Sequence, residues 1–233
     1  LRALEGTISK LPFLIRSSAR RLSSTTSDVD KKIAKVSKGQ TQRKLPITAL
    51  VITWDAGHNP LGRSYMLAEV LDRVVRNVVI VGFQFPRYGN SIWEPLQNSK
   101  IPVITYPGSN FPEFAEALEH IAERVQTDIV FACKARLPSV QLGMQIRQRL
   151  GCPLVCDIDD HELTFFNNAR EISTKELAQM DMLPEQLCEE PYGDFWTGIA
   201  QNLSRQADHI LVSNDSLKRE FPFNELQLFT VIP

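Results

Sequence analysis

The chain has 233 residues, 43% of them apolar, and a formal net charge of −1. This length and apolar share suit a globular protein with a sizeable core and exclude a wholly disordered one. No apolar run approaches the ~20 residues that a bilayer-crossing helix needs.

The net charge hides an asymmetry, because residues 1–45 carry eleven Lys/Arg against three Asp/Glu and the rest fifteen against twenty-four. We therefore divide the chain into a basic, Ser/Thr-rich leader or linker at 1–45, expected to be flexible, and a domain at 46–233. Two other readings of the leader stay open. It is Arg- and Ser-rich like an organellar transit peptide, and the Leu1, Leu4, Ile8, Leu11, Ile15 spacing fits a basic amphipathic helix lying on anionic lipid or on a neighbouring domain. Cys133, Cys152, Cys156 and Cys188 form no C-x-x-C pair and read as reduced core thiols of a cytosolic protein. The start at Leu1 and the end at Pro233, just past an apolar run, suggest a fragment of a longer protein.

From Leu45 onward strand and helix patterns alternate. LPITALVITW (45–54) is a strand-length apolar run, as expected of a strand buried on both faces of a parallel sheet. RSYMLAEVLDRVV follows, with Leu67, Val70, Leu71 and Val74 on one helical face. Strands are predicted at 77–83 and 101–106, then a helix in NFPEFAEALEHIAERV with Pro near its start, then a strand at 127–133. LPSVQLGMQIRQRLG alternates like a strand at Val140, Leu142, Met144 and Ile146. Pro138, the unbranched helix formers and Gly151 nevertheless predict a helix. Further strands are expected at 153–158, 208–213 and 226–232, with an irregular insertion at 163–193 before an amphipathic helix in DFWTGIAQNLSRQ. The fold class is α/β, a Rossmann-like, mainly parallel sheet flanked by helices.

In such sheets ligands gather beyond the carboxyl ends of the strands, which selects three loops. In DAGHNPLGRS (55–64), Gly57 and Gly62 allow a tight turn, the amides after Gly62 can face a phosphate, and Arg63 adds a cation at the helix start. KARLPS (134–139) offers Lys134 and Arg136 to an anionic acceptor or phosphate, unless water alone solvates them. DIDDHE (157–162) collects Asp157, Asp159, Asp160, His161 and Glu162. That cluster can be read as the D-x-D nucleophile and acid/base pair of a magnesium-dependent phosphatase, a carboxylate metal site, a hydroxyl-binding wall, or an acidic loop without chemistry. His58 and His161 lie in ligand-facing loops, where an imidazole either contacts a hydroxyl or pyrophosphate, shuttles a proton, or serves as a hydrogen-bonded structural residue, the last being the preferred reading; His120 and His209 read as structural.

DAGHNPLGRSYMLAEVL, GCPLVCDIDDHEL, ADHILVSNDSLKREF and FTVIP, in that order, resemble the amino-terminal half of GT-B glycosyltransferases of the family-4 type, over about residues 46–233. The resemblance implies the acceptor-binding half of an enzyme that moves a sugar from a nucleotide-sugar donor to a hydroxyl acceptor, with retention and without a metal or other cofactor. It matches Gly62 and Arg63 to the loop facing the donor phosphates and Asp160 and Glu162 to the loop lining the acceptor side; from their loop positions we expect Lys134, Arg136 and His161 to join the acceptor site, with His58 as a further candidate. Lys134 and Arg136 stand where that family often has a histidine-containing stretch, a departure that bears on the acceptor type. The expected partners are the nucleotide-sugar, a glycan, lipid-linked or small-molecule acceptor, and a donor-binding domain absent from this chain, without which residues 1–233 are expected to be inactive. No nucleic-acid partner is expected; the expected location is cytoplasmic, with peripheral membrane contact through the leader. A flavodoxin-like binding module without catalysis is the other alternative.

Overall fold

The computed structural model describes residues 44–167, 169–180, 190–221 and the backbone of 228–231. The leader expected at 1–45 and Cys188 fall, apart from Lys44 and Leu45, outside them. Among the described residues seven parallel strands form one sheet: β1 Leu45–Thr53, β2 Val75–Gln84, β3 Val103–Pro107, β4 Ile129–Cys133, β5 Leu154–Ile158, β6 His209–Val212 and β7 Leu228–Val231. Their spatial order is β3-β2-β1-β4-β5-β6-β7, so the winding direction reverses between β1 and β4. The sheet is the Rossmann-like one expected.

The α-helices among the described residues are α1 Pro60–Asp72, α2 Glu113–Arg124, α3 Leu137–Leu150, α4 Thr174–Leu177, α5 Asp194–Ser204 and α6 Asp215–Glu220. Two apolar clusters separate them. Leu61, Leu67, Ala68 and Leu71 of α1 join Val51, Ile80 and Phe131 on one side. Phe114, Leu118, Ile121, Val140, Leu142, Ile146, Trp196 and Ile199 of α2, α3 and α5 join Leu50, Ile52, Phe83 and Leu154 on the other. Strand residues of alternating parity thus feed opposite cores, and β4, β5 and β6 are buried throughout. β3 is the partly exposed edge.

Two sequence expectations change. The helix expected from Arg63 starts three residues earlier, because Pro60 fits the first helical position where no amide bond is lost. Gly62 therefore lies inside the first turn, donating to the Asn59 carbonyl (2.9 Å), and not in an open loop. An added Cβ there would press on the Trp93 ring at 3.1 Å. The same helix stops at Asp72, so Val74 leads into β2. The ambiguous stretch is a helix, closed by Gly151 in the left-handed region (φ 66°), whose amide reaches the Arg147 carbonyl. Its strand-like alternation reflects a broad buried face against the sheet.

Candidate active site

The pairing registers set Ile52 beside Ala132 and Cys133 beside Asp157, so the chain leaves β1, β4 and β5 at one level, at the topological switch point. The three loops chosen from the sequence meet there.

After β1, Asp55 is fully buried and saturated. One carboxylate oxygen accepts from the Gly57 amide (2.6 Å) and pairs with His58 Nδ1 (2.7 Å), and the other accepts from the Phe85 amide (3.0 Å). In the neutral ring, a carboxylate on Nδ1 makes that nitrogen the donor and leaves Nε2 with the lone pair. The ring stacks on Tyr88 (centroids 4.0 Å, 8° between planes) and meets Trp54 edge-on at 5.0 Å. Phe85 and Tyr192 complete an aromatic wall. They also line a cavity of about 360 Å³ with Arg87, Asn110 and Glu190. Burial pushes the Tyr192 hydroxyl up, and Glu190 adds to it.

After β4 and β5 the charged groups pair with one another. Arg136 is buried, its Nε on Glu162 Oε2 and its Nη1 donating to the Tyr192 carbonyl at 2.7 Å. Its guanidinium carbon lies 5.4 Å from the Trp54 ring centre and 4.9 Å from that of Phe166. Lys134 Nζ bonds Asp159 (3.0 Å) and Asp160, with Glu162 at 3.5 Å. Burial disfavours the Lys134 ammonium, but Asp159, Glu162 and Asp160 outweigh it and raise its pKa. Burial also raises Asp159, against the pull of Lys134. Two cations here face three carboxylates. The excess negative charge is most accessible at Asp160, whose side chain is 44% exposed.

Arg63 reaches down from α1 to Asp157, Nε and Nη2 each 2.7 Å from a carboxylate oxygen. Those bonds raise its pKa in spite of burial. Both oxygens of Asp157 are engaged and none is exposed, so the phosphatase reading loses its nucleophile. His161 turns away from the crevice, its Nδ1 on Glu220.

Of the residues singled out in sequence, the fold brings His58, Lys134, Arg136, Asp160 and Glu162 together through Trp54, whereas Arg63 is committed to Asp157 and Gly62 to packing. Asp55, Trp54, Tyr88 and Tyr192 escaped the sequence reading. The D-x-x-H spacing of Asp55 and His58 was the available signal, but only a turn makes it a pair. Cys133, Cys152 and Cys156 are buried free thiols, and burial pushes Cys156 up to about 12. A larger cavity of about 1110 Å³ runs along the groove between α3 and α5, from Leu137 and Trp196 near the crevice to Cys152, Pro153 and Asp208 at the other end of the sheet.

The fold and the crevice define a doubly wound α/β domain whose switch-point crevice carries a carboxylate-oriented histidine, an aromatic wall and a charge cluster in which two cations partly offset three carboxylates. No family model and no curated protein matches the chain. Matching solved structures include UGT89C1 of Arabidopsis thaliana complexed with UDP-L-rhamnose, at 10% identity over 76% of this chain and 45% of that one, with a TM-score of 0.44. The same protein complexed with quercetin matches at 8% identity over 76% and 46%, with a TM-score of 0.42. The chain spans less than half the length of either structure. No helix among the described residues is long and apolar enough to cross a membrane.

Proposed function

We propose that residues 46–233 are the acceptor-side half of a nucleotide-sugar-dependent glycosyltransferase. The observation that carries this reading is the meeting, at one switch point, of the loops after β1, β4 and β5 that hold the GT-B-like motifs. His58 Nε2 is the base positioned to take the proton of an acceptor hydroxyl as the sugar arrives, with Asp55 holding the ring and balancing the imidazolium that forms. Asp160 accepts hydrogen bonds from acceptor hydroxyls. Tyr88 and Tyr192 supply an apolar wall.

Donor binding, the donor phosphates included, belongs in this reading to a second domain. A cytoplasmic setting and a leader resting on a membrane surface complete it. The resemblance implies retention of configuration, whereas an oriented base is what a direct, inverting displacement requires.

The test is a panel of nucleotide sugars and hydroxyl acceptors presented to the full-length protein, with the anomeric configuration of the product read by NMR. Transfer that is lost in His58→Ala supports the reading, and an inverted product assigns His58 the role of base. A full-length protein that neither transfers nor hydrolyses any nucleotide sugar returns the domain to the non-catalytic binding module.

A further inference from the structure

Asp159, Asp160 and Glu162 each offer a carboxylate oxygen, and these oxygens all lie within 4.8 Å of one another. Hard divalent cations gather oxygen ligands at such spacings. Three carboxylates this close also repel one another, and the fold has to offset that.

The centre of the cluster is filled from β4. Lys134 Nζ lies 3.0 Å from Asp159 Oδ1, bonds Asp160 Oδ2, and stands 3.5 Å from Glu162 Oε1. Glu162 is only 2% exposed, and its Oε1 accepts no hydrogen bond, so the cation facing that buried oxygen is the Lys134 ammonium. Its other oxygen belongs to Arg136. The Lys134 backbone is anchored on both sides. It is non-glycine yet at φ 66°, its amide donates to the Asp157 carbonyl (2.7 Å), and its carbonyl accepts from Ser139 Oγ (3.0 Å).

We infer that Lys134 is a built-in counter-ion, its ammonium standing where a divalent cation would sit among Asp159, Asp160 and Glu162 and setting the geometry of those carboxylates. Lys134 is thus a positioning residue that makes the wall independent of metal. This inference does not depend on the transferase reading, since it concerns which cation the cluster accepts.

The experiment titrates Mn²⁺ into this chain and follows the free ion by EPR. Wild type is compared with Lys134→Met, which keeps an apolar stem of similar length, and with K134M/D160N. Circular dichroism verifies that each variant is folded. Removal of the ammonium is expected to open a site for one Mn²⁺ with a Kd of about 10⁻⁴ to 10⁻³ M, the weak end for oxygen-ligand sites, and about tenfold or more tighter than in wild type. The gain is expected to disappear in K134M/D160N, and Mn²⁺ is expected to raise the Tm of K134M alone. Two results overturn the inference: wild type binding Mn²⁺ as tightly as K134M, or folded K134M binding none. If Lys134→Met does not fold, Lys134→Ala carries the same comparison, judged by the same two results.

Discussion

Arg63 and Asp157 lie 94 residues apart in sequence and meet through two parallel 2.7 Å bonds that fasten α1 to the carboxyl end of β5. Asp157 has no exposed surface and the Arg63 side chain is 23% exposed. Removal of one partner leaves the other charge buried and uncompensated, which costs about 3–5 kcal/mol. Arg63→Met and Asp157→Leu are each expected to lower the urea midpoint accordingly. The double variant is expected to recover most of the loss, because an apolar pair of similar volume removes the desolvation cost. Chemical denaturation of the three variants measures this, and simple additivity in the double variant would contradict it.

This pair also marks where sequence reading reaches its limit. The run from Ala49 to Ile52 had to be a doubly buried strand, and Gly151 had to end a helix, because both follow from side chains within a few residues. That Arg63 serves Asp157 and not a ligand depends on β1, β4 and β5 being neighbours, which no local pattern encodes. Lys134 and Arg136 looked available for an anion for the same reason: their partners, Asp159, Asp160 and Glu162, come from the next strand's loop. The start of α1 was misplaced because Gly62 reads as a turn residue, while its role is to leave room for Trp93.

Gly198 in α5 packs against the segment before α4. A Cβ there would collide with the Arg170 carbonyl, and the Gly198 carbonyl accepts from the Ile172 amide at 3.1 Å. Gly198→Ala must therefore displace backbone, and not a flexible side-chain end. A loss of about 1–3 kcal/mol is expected, typical of overpacking. Faster hydrogen exchange at Ile172 is expected with it, and unchanged exchange would show that the two segments separate without cost.

Glu171 joins the same segment to α5 and carries a pH dependence of definite sign. The hydrogen bonds from Arg205 hold its pKa below the ordinary 4.5, against the opposing effect of partial burial. The stabilisation is fully present above 4.5 and is lost as pH falls through the lowered value. For a partly exposed pair it amounts to about 1 kcal/mol after allowance for solvent screening. Glu171→Gln is expected to be less stable than wild type at neutral pH, and the gap in urea midpoint is expected to close in acid. A gap that stays constant with pH would assign the effect to packing.

On the proposed transferase function, His58 and Asp160 flank the crevice from different loops, and their loss is expected to affect catalysis differently. His58→Ala removes the proposed base, and general-base catalysis contributes about 10²–10⁴-fold. Its effect in the full-length protein is therefore expected in kcat, with acceptor KM little changed. Asp160→Ala removes an exposed hydrogen-bond acceptor, which is expected to lower turnover and raise acceptor KM, with a total loss of about tenfold in kcat/KM for a charge-assisted bond. Steady-state kinetics with varied acceptor separates the two. Unchanged kcat in His58→Ala removes the imidazole from the chemistry and leaves it as packing for Tyr88; unchanged turnover in Asp160→Ala removes that carboxylate from the site.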